Sequence, residues 1–397
     1  MSELKGNAII GQSGGPTCVI NQSLVGVIEE FARHDHVGRI LGMRHGVAGL
    51  VKEELIDLSD LDARTLEGIA ATPSAALGSS RDKPDEAYCE RIFDVCRKHD
   101  VRYFFYIGGN DSADTARIVN DLAKAAKYEF RVFHIPKTID NDLRVNDHTP
   151  GFGSAARWVA SAFLGDDLDN RSLPGVKINV VMGRNAGFLT AASILARYGE
   201  DTGPHLIYVP EVNFDEERFM RDVSATVDRV GRCVVAVSEG IHRAEEGPMA
   251  AILDKNAPVD SHGNKLLTGG ALGAHLAQLV KNVLGPKARV RSDTFGYLQR
   301  CFPGVVSPVD AAEAREVGRT AARHAFADNL DGSVVIKRLG NDPYQVAYEL
   351  TELSNVARQT KHLDPSFISD DANNIHDSFI EYVAPLAGEL PPVRLLN

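Results

Sequence analysis

The chain is poor in cysteine, in positive charge and in long apolar runs, and each shortage narrows what it can be. Its five cysteines, Cys18, Cys89, Cys96, Cys233 and Cys301, are odd in number and include no Cys-x-x-Cys pair and no zinc spacing. That argues against a disulfide framework or a zinc site and for reduced thiols in the cytoplasm. No apolar run approaches the roughly 20 residues needed to span a bilayer. Residues 1–6 lack a charged stretch leading into an apolar one, so neither a membrane partner nor a secretory signal is expected. Lys plus Arg number 43 against 54 for Asp plus Glu, a formal charge of −11. This balance speaks against nucleic acid or an anionic membrane as partner, and an anionic ligand would need a local cluster of Arg and Lys opposing the global field. Ser/Gly linkers, low-complexity tracts and short repeats are missing too, so domain boundaries should be compact.

What remains is ordinary globular usage, 44% hydrophobic and 24% charged over 397 residues, a length that suits two to three domains. Short apolar strands are expected at 7–11, 101–107, 131–135, 177–181, 205–209 and 233–237. Helical spacing occupies 17–33, 112–127, 153–164, 186–198, 214–230, 271–283 and 308–327. Such alternation implies parallel βαβ units with helices on both faces, an α/β doubly wound architecture. The break falls near Pro150 and the chain returns near Cys301; the tail from 344 reads as helical, then polar.

In these sheets ligands gather beyond the carboxyl ends of the strands. Gly11-Gln12-Ser13-Gly14-Gly15-Pro16 lies at the first such end, where glycines let a backbone approach a ligand and a helix start can hold an anion. It is neither Gly-x-Gly-x-x-Gly nor a Walker loop, which counts against a nicotinamide dehydrogenase or an ordinary P-loop enzyme. Taken alone it is as well explained by a tight βα turn. Gly108-Gly109-Asn110-Asp111-Ser112 ends a buried strand; helix capping explains Asp and Ser, but two preceding glycines favour phosphate approach with an acid near Mg²⁺. Pro136-Lys137-Thr138-Ile139-Asp140-Asn141-Asp142 packs a lysine, an Asn and two carboxylates into one loop, more than a turn requires and suited to phosphoryl transfer to a hydroxyl. Met182-Gly183-Arg184, Ser238-Glu239-Gly240, Arg289, Arg291 and Tyr297-Leu298-Gln299-Arg300 add polar groups and cations near further strand ends. Against these, His34-Asp35-His36 reads as a polar turn, Cys89 and Cys96 as one core helix face, and Trp158 as packing.

These motifs, in this order, resemble the phosphofructokinase family: GQSGGP, LGSSR at 77–81, GGNDS, PKTIDND, TPGFGSA at 149–155, MGRNAG, SEG and GYLQR at 296–300. The tail HLDPSF at 362–367 looks like the pyrophosphate-dependent branch, so the resemblance covers essentially the whole chain. It implies two Rossmann-like parallel-sheet domains with the active site in the cleft between them and a C-terminal helical extension. Residues 1–150 with 301–343 would bind the phosphoryl donor, 151–300 fructose 6-phosphate, and 344–397 would form the extension. Asp140 would take the proton from the sugar 1-hydroxyl. Thr138, Ile139, Met182, Gly183, Arg184 and Glu239 would line the sugar site. Tyr297, Leu298, Gln299 and Arg300 would hold the 6-phosphate end, with Arg291 reaching in from a neighbouring subunit of a homodimer or homotetramer. Gly14, Gly15, Arg81 and Lys137 would hold the donor; Asp111, Asn110 and Asp142 are the candidate Mg²⁺ ligands.

By the same resemblance, ATP-dependent members carry Gly where Asp111 stands and usually where Lys137 stands. Asp and Lys here match pyrophosphate as donor. A carboxylate at Asp111 adds bulk and like charge where a further phosphate of ATP would go, and Lys137 offers a fixed cation to the transferring group. Asn110 departs from the Asp-Asp often found in the family, leaving the metal to Asp111, Asp142 or mainly pyrophosphate oxygens. The alternatives are an ATP-dependent kinase of the same fold, opposed by Asp111 and Lys137, and a silent regulatory subunit, opposed by the intact Asp140, Arg184, Glu239 and Arg300.

Overall fold

The computed structural model describes residues 4–395 except 245, 255, 257, 260–264, 266, 268 and 329. The described residues form eleven strands, in chain order β1 (Gly6–Gln12), β2 (Val37–Met43), β3 (Leu55–Asp57), β4 (Val101–Gly108), β5 (Arg131–Pro136), β6 (Val176–Val181), β7 (Leu206–Tyr208), β8 (Cys233–Ser238), β9 (Val290–Thr294), β10 (Gly332–Asn341) and β11 (Tyr344–Thr351). They build two sheets, one in each of two compact units. The first unit comprises Met1–Ile139, Leu143–Phe152 and Arg300–Thr360; the second Asp140–Asp142, Gly153–Gln299 and Lys361–Asn397.

The first unit holds a seven-stranded sheet in the order β11-β10-β5-β4-β1-β2-β3, parallel except for the pairing of β11 and of β3. β4 reads VRYFFYIG and is buried at every position but Arg102, because successive residues face opposite sides and both sides are covered. Ile10, Phe105 and Ile135 pack with Val317 and Phe326 of the helix Pro308–Phe326 and with Leu24 and Val27 of the helix Ile20–Phe31. Ile9 and Phe104 face the helices Glu86–Lys98 and Asn110–Ala125. Cys89 and Cys96 lie in that second core layer, as their seven-residue spacing suggests. His34 follows the helix Ile20–Phe31, with Nε2 3.3 Å from Glu30 Oε1 and its ring 5.4 Å from that of Phe326.

The second unit has a four-stranded, all-parallel sheet in the order β7-β8-β6-β9. One face carries Ile178, Val180, Val235 and Val237 against Phe219 of the helix Glu216–Val230 and Leu276 of the helix Ala271–Leu284. Trp158 is a packing residue, edge-on to Phe295 with ring centroids 5.0 Å apart.

The tail departs from expectation. Residues from Tyr344 do not start a helix: Tyr344–Thr351 is β11, antiparallel to β10 at the sheet edge, and among the described residues of the tail only Ser378–Ala387 is α-helical. The alternating Tyr344, Val346, Tyr348 and Leu350 supply a strand period, and the hydrogen bonds of β10 override the helix preference of the Ala and Glu between them. All five cysteines are unpaired, and four are buried. No helix among the described residues is long and apolar enough to cross a membrane.

A buried charge cluster joins three parts of the first unit. His148 places Nδ1 2.7 Å from Asp147 and Nε2 2.6 Å from Glu313. Tyr344 also donates to Glu313, at 2.6 Å, and Arg338 to Asp147, at 2.9 Å. Burial alone would push the His148 pKa down, but the two carboxylates bonded to it raise it. Both ring nitrogens therefore donate, and the imidazole is charged in the fold. Its stabilisation is complete below the ordinary histidine value of about 6.5 and is lost as pH rises through the raised one. His148→Gln should lower stability by about 3 kcal/mol at pH 6, several degrees of melting temperature. The gap from wild type should narrow toward pH 9, and thermal melts at both pH values would show it; a gap independent of pH would mean a neutral His148.

Candidate active site

The strand order of the large sheet reverses at β1. The chain leaves β1 for β2 and β3 on one side, then lays β4 on the other. Ligands in open α/β sheets bind beyond the carboxyl ends at such a switch point. Here that place holds Ser13-Gly14-Gly15 after β1 and Gly108-Gly109 after β4. Ser13 donates from its backbone to Ile107 O at 2.9 Å, and its hydroxyl pairs with that of Ser112. An added Cβ at Gly108 would lie 2.1 Å from Ser112 Oγ and 2.3 Å from Ser13 Oγ, so only glycine lets the β4 turn close over this hydroxyl pair. Gly14 has φ +73, donates to Ser80 O at 2.8 Å and accepts from Ser79 Oγ at 2.6 Å. Arg81, exposed, follows directly.

Sequence spacing places a helix start at Thr17, behind the Gly-Gly turn. The helix begins instead at Ile20, so Gly14 and Gly15 sit in an open loop and positive charge reaches them from side chains. Lys137, 3% exposed, donates from Nζ to Gly15 O at 2.8 Å. The Arg300 guanidinium carbon would stand 2.9 Å from a Cβ built on Gly15. The first unit thus brings together Gly14, Gly15, Lys137 and Arg300. Arg300 follows directly on Gln299 and lies against the Gly15 turn.

Lys137 is held at its backbone as well, donating to Gly108 O at 3.0 Å. The same carbonyl accepts from His134 Nε2 at 2.8 Å, while His134 Nδ1 faces Ser333 Oγ at 2.8 Å. Burial pushes the His134 pKa down to about 4, so the ring is neutral near pH 7 with its proton on Nε2. Next to this turn, the helix Asn110–Ala125 has Gly109 as its N-cap and no side chain capping it; Asp111 and Ser112 do not serve as caps. The Asp111 carboxylate is half-exposed and lies 3.3 Å from Lys83 Nζ.

Among the described residues no group of three or more His, Cys, Asp or Glu side chains is gathered to hold a metal ion. Asn110 and Asp111 belong to the first unit and Asp142 to the second. Within the first unit, one carboxylate and one amide side by side suit Mg²⁺ of the kind that keeps several waters and takes ligand phosphates, and do not make an all-protein cage.

In the second unit β6 and β8 are neighbours, so the Met182-Gly183-Arg184 and Glu239-Gly240 turns lie side by side. Ser238 Oγ donates to Gly183 O at 2.6 Å, and Glu239 N donates to Val181 O at 2.8 Å. The Glu239 side chain is buried. A Cβ on Gly240 would come within 2.1 Å of Arg184 O, a backbone contact that cannot give way. Arg184 Nη2 donates to Lys265 O at 2.6 Å, and the buried Gln299 accepts from Met182 N at 3.4 Å. A cavity of about 490 Å³ opens beside these turns, lined among others by Arg184, Glu211, Gly240, His242 and His362. Burial raises the Glu211 pKa, against the hydrogen bonds its carboxylate accepts from Leu363 N and Gly187 N. Asp140 and Asp142 are half-buried in this unit, whereas Thr138 and Ile139 of the same loop belong to the first. Arg291, Tyr297 and Leu298 are exposed, and Arg291 donates to the neighbouring Val290 carbonyl.

Sequence reasoning missed His134, Lys83, Glu211 and the Ser13–Ser112 pair. A histidine inside the apolar run RVFHIP, three residues before Lys137, was the one local signal available.

Among models of known families, Phosphofructokinase matches residues 7–325. The chain is 53% identical over 389 residues to pyrophosphate–fructose 6-phosphate 1-phosphotransferase of Rhodospirillum rubrum, covering 98% of this chain and 96% of that one. It is 41% identical to the protein of the same name from Xanthomonas campestris pv. campestris, over 97% of this chain and 93% of the other. The crystal structure of pyrophosphate-dependent phosphofructokinase from Marinobacter aquaeolei superposes with a TM-score of 0.85 at 36% identity, covering 98% of this chain and 94% of that one.

The Gly240 contact makes a test of the turn geometry. Gly240→Ala should destabilise the fold by about 3 kcal/mol, because backbone must move. Gly165→Ala, inside the helix Phe152–Ser172 with nothing within 4 Å of the new Cβ, should be neutral or stabilise by up to about 1 kcal/mol. Thermal melting of the two variants would reveal it; equal melting temperatures would mean that the turn yields.

Proposed function

The chain belongs to the phosphofructokinase family, and we propose that it transfers phosphate from pyrophosphate to the 1-hydroxyl of fructose 6-phosphate. The products are fructose 1,6-bisphosphate and phosphate, and the reaction runs in both directions. The observation that carries the choice of donor is Lys137, buried with its ammonium on the Gly15 carbonyl. A fixed cation there meets the charge of a transferring phosphoryl group in a site where water cannot screen it. Pyrophosphate is small and brings no nucleoside to bind, so the protein must supply such contacts itself. Gly14, Gly15 and Arg81 are the further donor-side residues. Asp111 works as a filter: an additional phosphate would meet its carboxylate and have to disturb the Lys83 pair. Two unit charges ~4 Å apart repel by about 4 kcal/mol at an effective dielectric near 20, before Lys83 and solvent reduce that figure.

Asp140 is the proposed base for the 1-hydroxyl proton. It stands three residues from Lys137, so covalent geometry keeps their backbones within about 11 Å. Thr138, Ile139, Met182, Gly183, Arg184, Glu239, Tyr297, Leu298, Gln299 and Arg300 are the proposed sugar-side residues, Arg300 lying where it also borders the Gly15 turn. Arg291, exposed on the edge strand β9, is proposed to reach the sugar phosphate of a neighbouring subunit in a homodimer or homotetramer. When bound, Mg²⁺ supplies charge neutralisation to the pyrophosphate oxygens, and Asp111, Asn110 and Asp142 are the side chains that would approach it. A cytoplasmic location suits five unpaired thiols.

Two measurements test this reading. The purified chain should phosphorylate fructose 6-phosphate with pyrophosphate far faster than with ATP, and Asp111→Gly should make ATP a competitive inhibitor against pyrophosphate. Comparable wild-type rates with ATP would overturn the donor assignment. Asp140→Asn should lower kcat by about 10²–10⁴, the range for loss of a general base, while KM for fructose 6-phosphate stays within a few-fold. Near-normal turnover would give the proton to another group.

A further inference from the structure

The C-terminal segment was expected only to pack as an extension, yet three consecutive residues of it each bind a different part of the second unit's site. Lys361 donates from its backbone to Asp142 O at 2.7 Å, and its Nζ lies 3.4 Å from Asn141 Oδ1 and 4.9 Å above the Phe188 ring. His362 Nδ1 is 2.8 Å from the carbonyl of Asn185, the residue after Arg184. Leu363 N donates to Glu211 Oε1 at 2.9 Å, and the same oxygen accepts from Gly187 N at 2.9 Å. Further on, the Tyr382 hydroxyl of the helix Ser378–Ala387 accepts from Asn141 Nδ2 at 2.7 Å.

Asn141 is the pivot. It is fully buried and has φ +58, a left-handed conformation that costs a side-chain-bearing residue unless something holds it. Both ends of its amide are held by the tail: an ammonium can only donate, so the oxygen faces Lys361 and the NH₂ faces Tyr382. The residue before it is Asp140.

We propose that Lys361–Leu363 and Tyr382 form a strap that positions the loop 140–142 and the Arg184 turn, with Tyr382 and Lys361 acting as positioning residues for Asp140. This inference rests on Asp140 as the base. The strap touches no reacting atom. It acts by fixing the backbone direction from which the Asp140 carboxylate leaves the loop, and small misplacements of a reacting group are costly in rate.

The test uses the full chain. Tyr382→Phe removes one oxygen and keeps the ring that packs on Phe367 and Phe379. It should lower kcat about 10- to 100-fold, leave both KM values within about twofold, and speed amide exchange in a peptide covering 137–143 measured without substrate. Phe367→Leu loosens the same aromatic group without touching Asn141, and should lower melting temperature while leaving kcat near wild type. Asn141→Gly adopts the left-handed turn without an amide to hold, so Tyr382→Phe should cost nothing further in that background. Wild-type kcat and unchanged exchange in Tyr382→Phe would overturn the strap, as would an equal further loss in the Asn141→Gly background. A wild-type chain inactive with pyrophosphate and fructose 6-phosphate would instead overturn the functional reading, and the exchange measurement would still decide whether the tail orders the loop.

Discussion

One short loop carries a cation and a carboxylate three residues apart, and each must keep its own orientation. Lys137 prolongs β5, its N–H on Gly108 O and its ammonium on Gly15 O. Thr138 is bridged to Gly151, with Thr149 Oγ1 donating to Thr138 O at 3.0 Å. Asn141 then reverses the chain with a positive φ. Each anchor comes from a different stretch of sequence, and together they explain why so much of the chain bears on seven residues. The His148 cluster belongs to the same scheme, since it secures the segment 147–151 that supports Thr138.

The strand-end turns of the two units are built differently. In the first, the Gly14-Gly15 loop is open, and the positive field comes from Lys137 and Arg300. In the second, the turns after β6 and β8 pack main chain against main chain, with Arg184 and Glu239 leaving from a rigid frame. A net acidic protein can hold an anionic ligand this way because the opposing charge is local and partly shielded from solvent.

Much of this was legible in the sequence, for identifiable reasons. β4, β5, β6 and β8 are buried at nearly every position, so they appear as mostly apolar runs, and the motifs follow where the runs stop. β9 (VRSDT) and β2 (VGRILGM) lie toward sheet edges and carry charge or glycine, and no apolar run marks them. β11 reads as helix in the sequence because its Ala, Glu and Leu have helical preference, while its strand state depends on pairing with β10. Site residues within motifs were readable, since their spacing is local. Lys83, Glu211 and Tyr382 were not: Tyr382 meets Asn141 across 241 positions of chain, and no local pattern encodes such a contact.

The five thiols have a consequence for how the molecule ages. Burial pushes Cys18, Cys89 and Cys233 up to about 12, and raises Cys96 and Cys301 as well. At neutral pH only about one molecule in 10⁵ carries a thiolate at a site of pKa 12, and the thiolate is the species that oxidants and electrophiles attack. The four buried thiols are therefore nearly mute toward alkylating agents while the fold is closed. Their modification must wait for an opening of the structure, so it is timed by that opening rather than by the reactivity of sulfur.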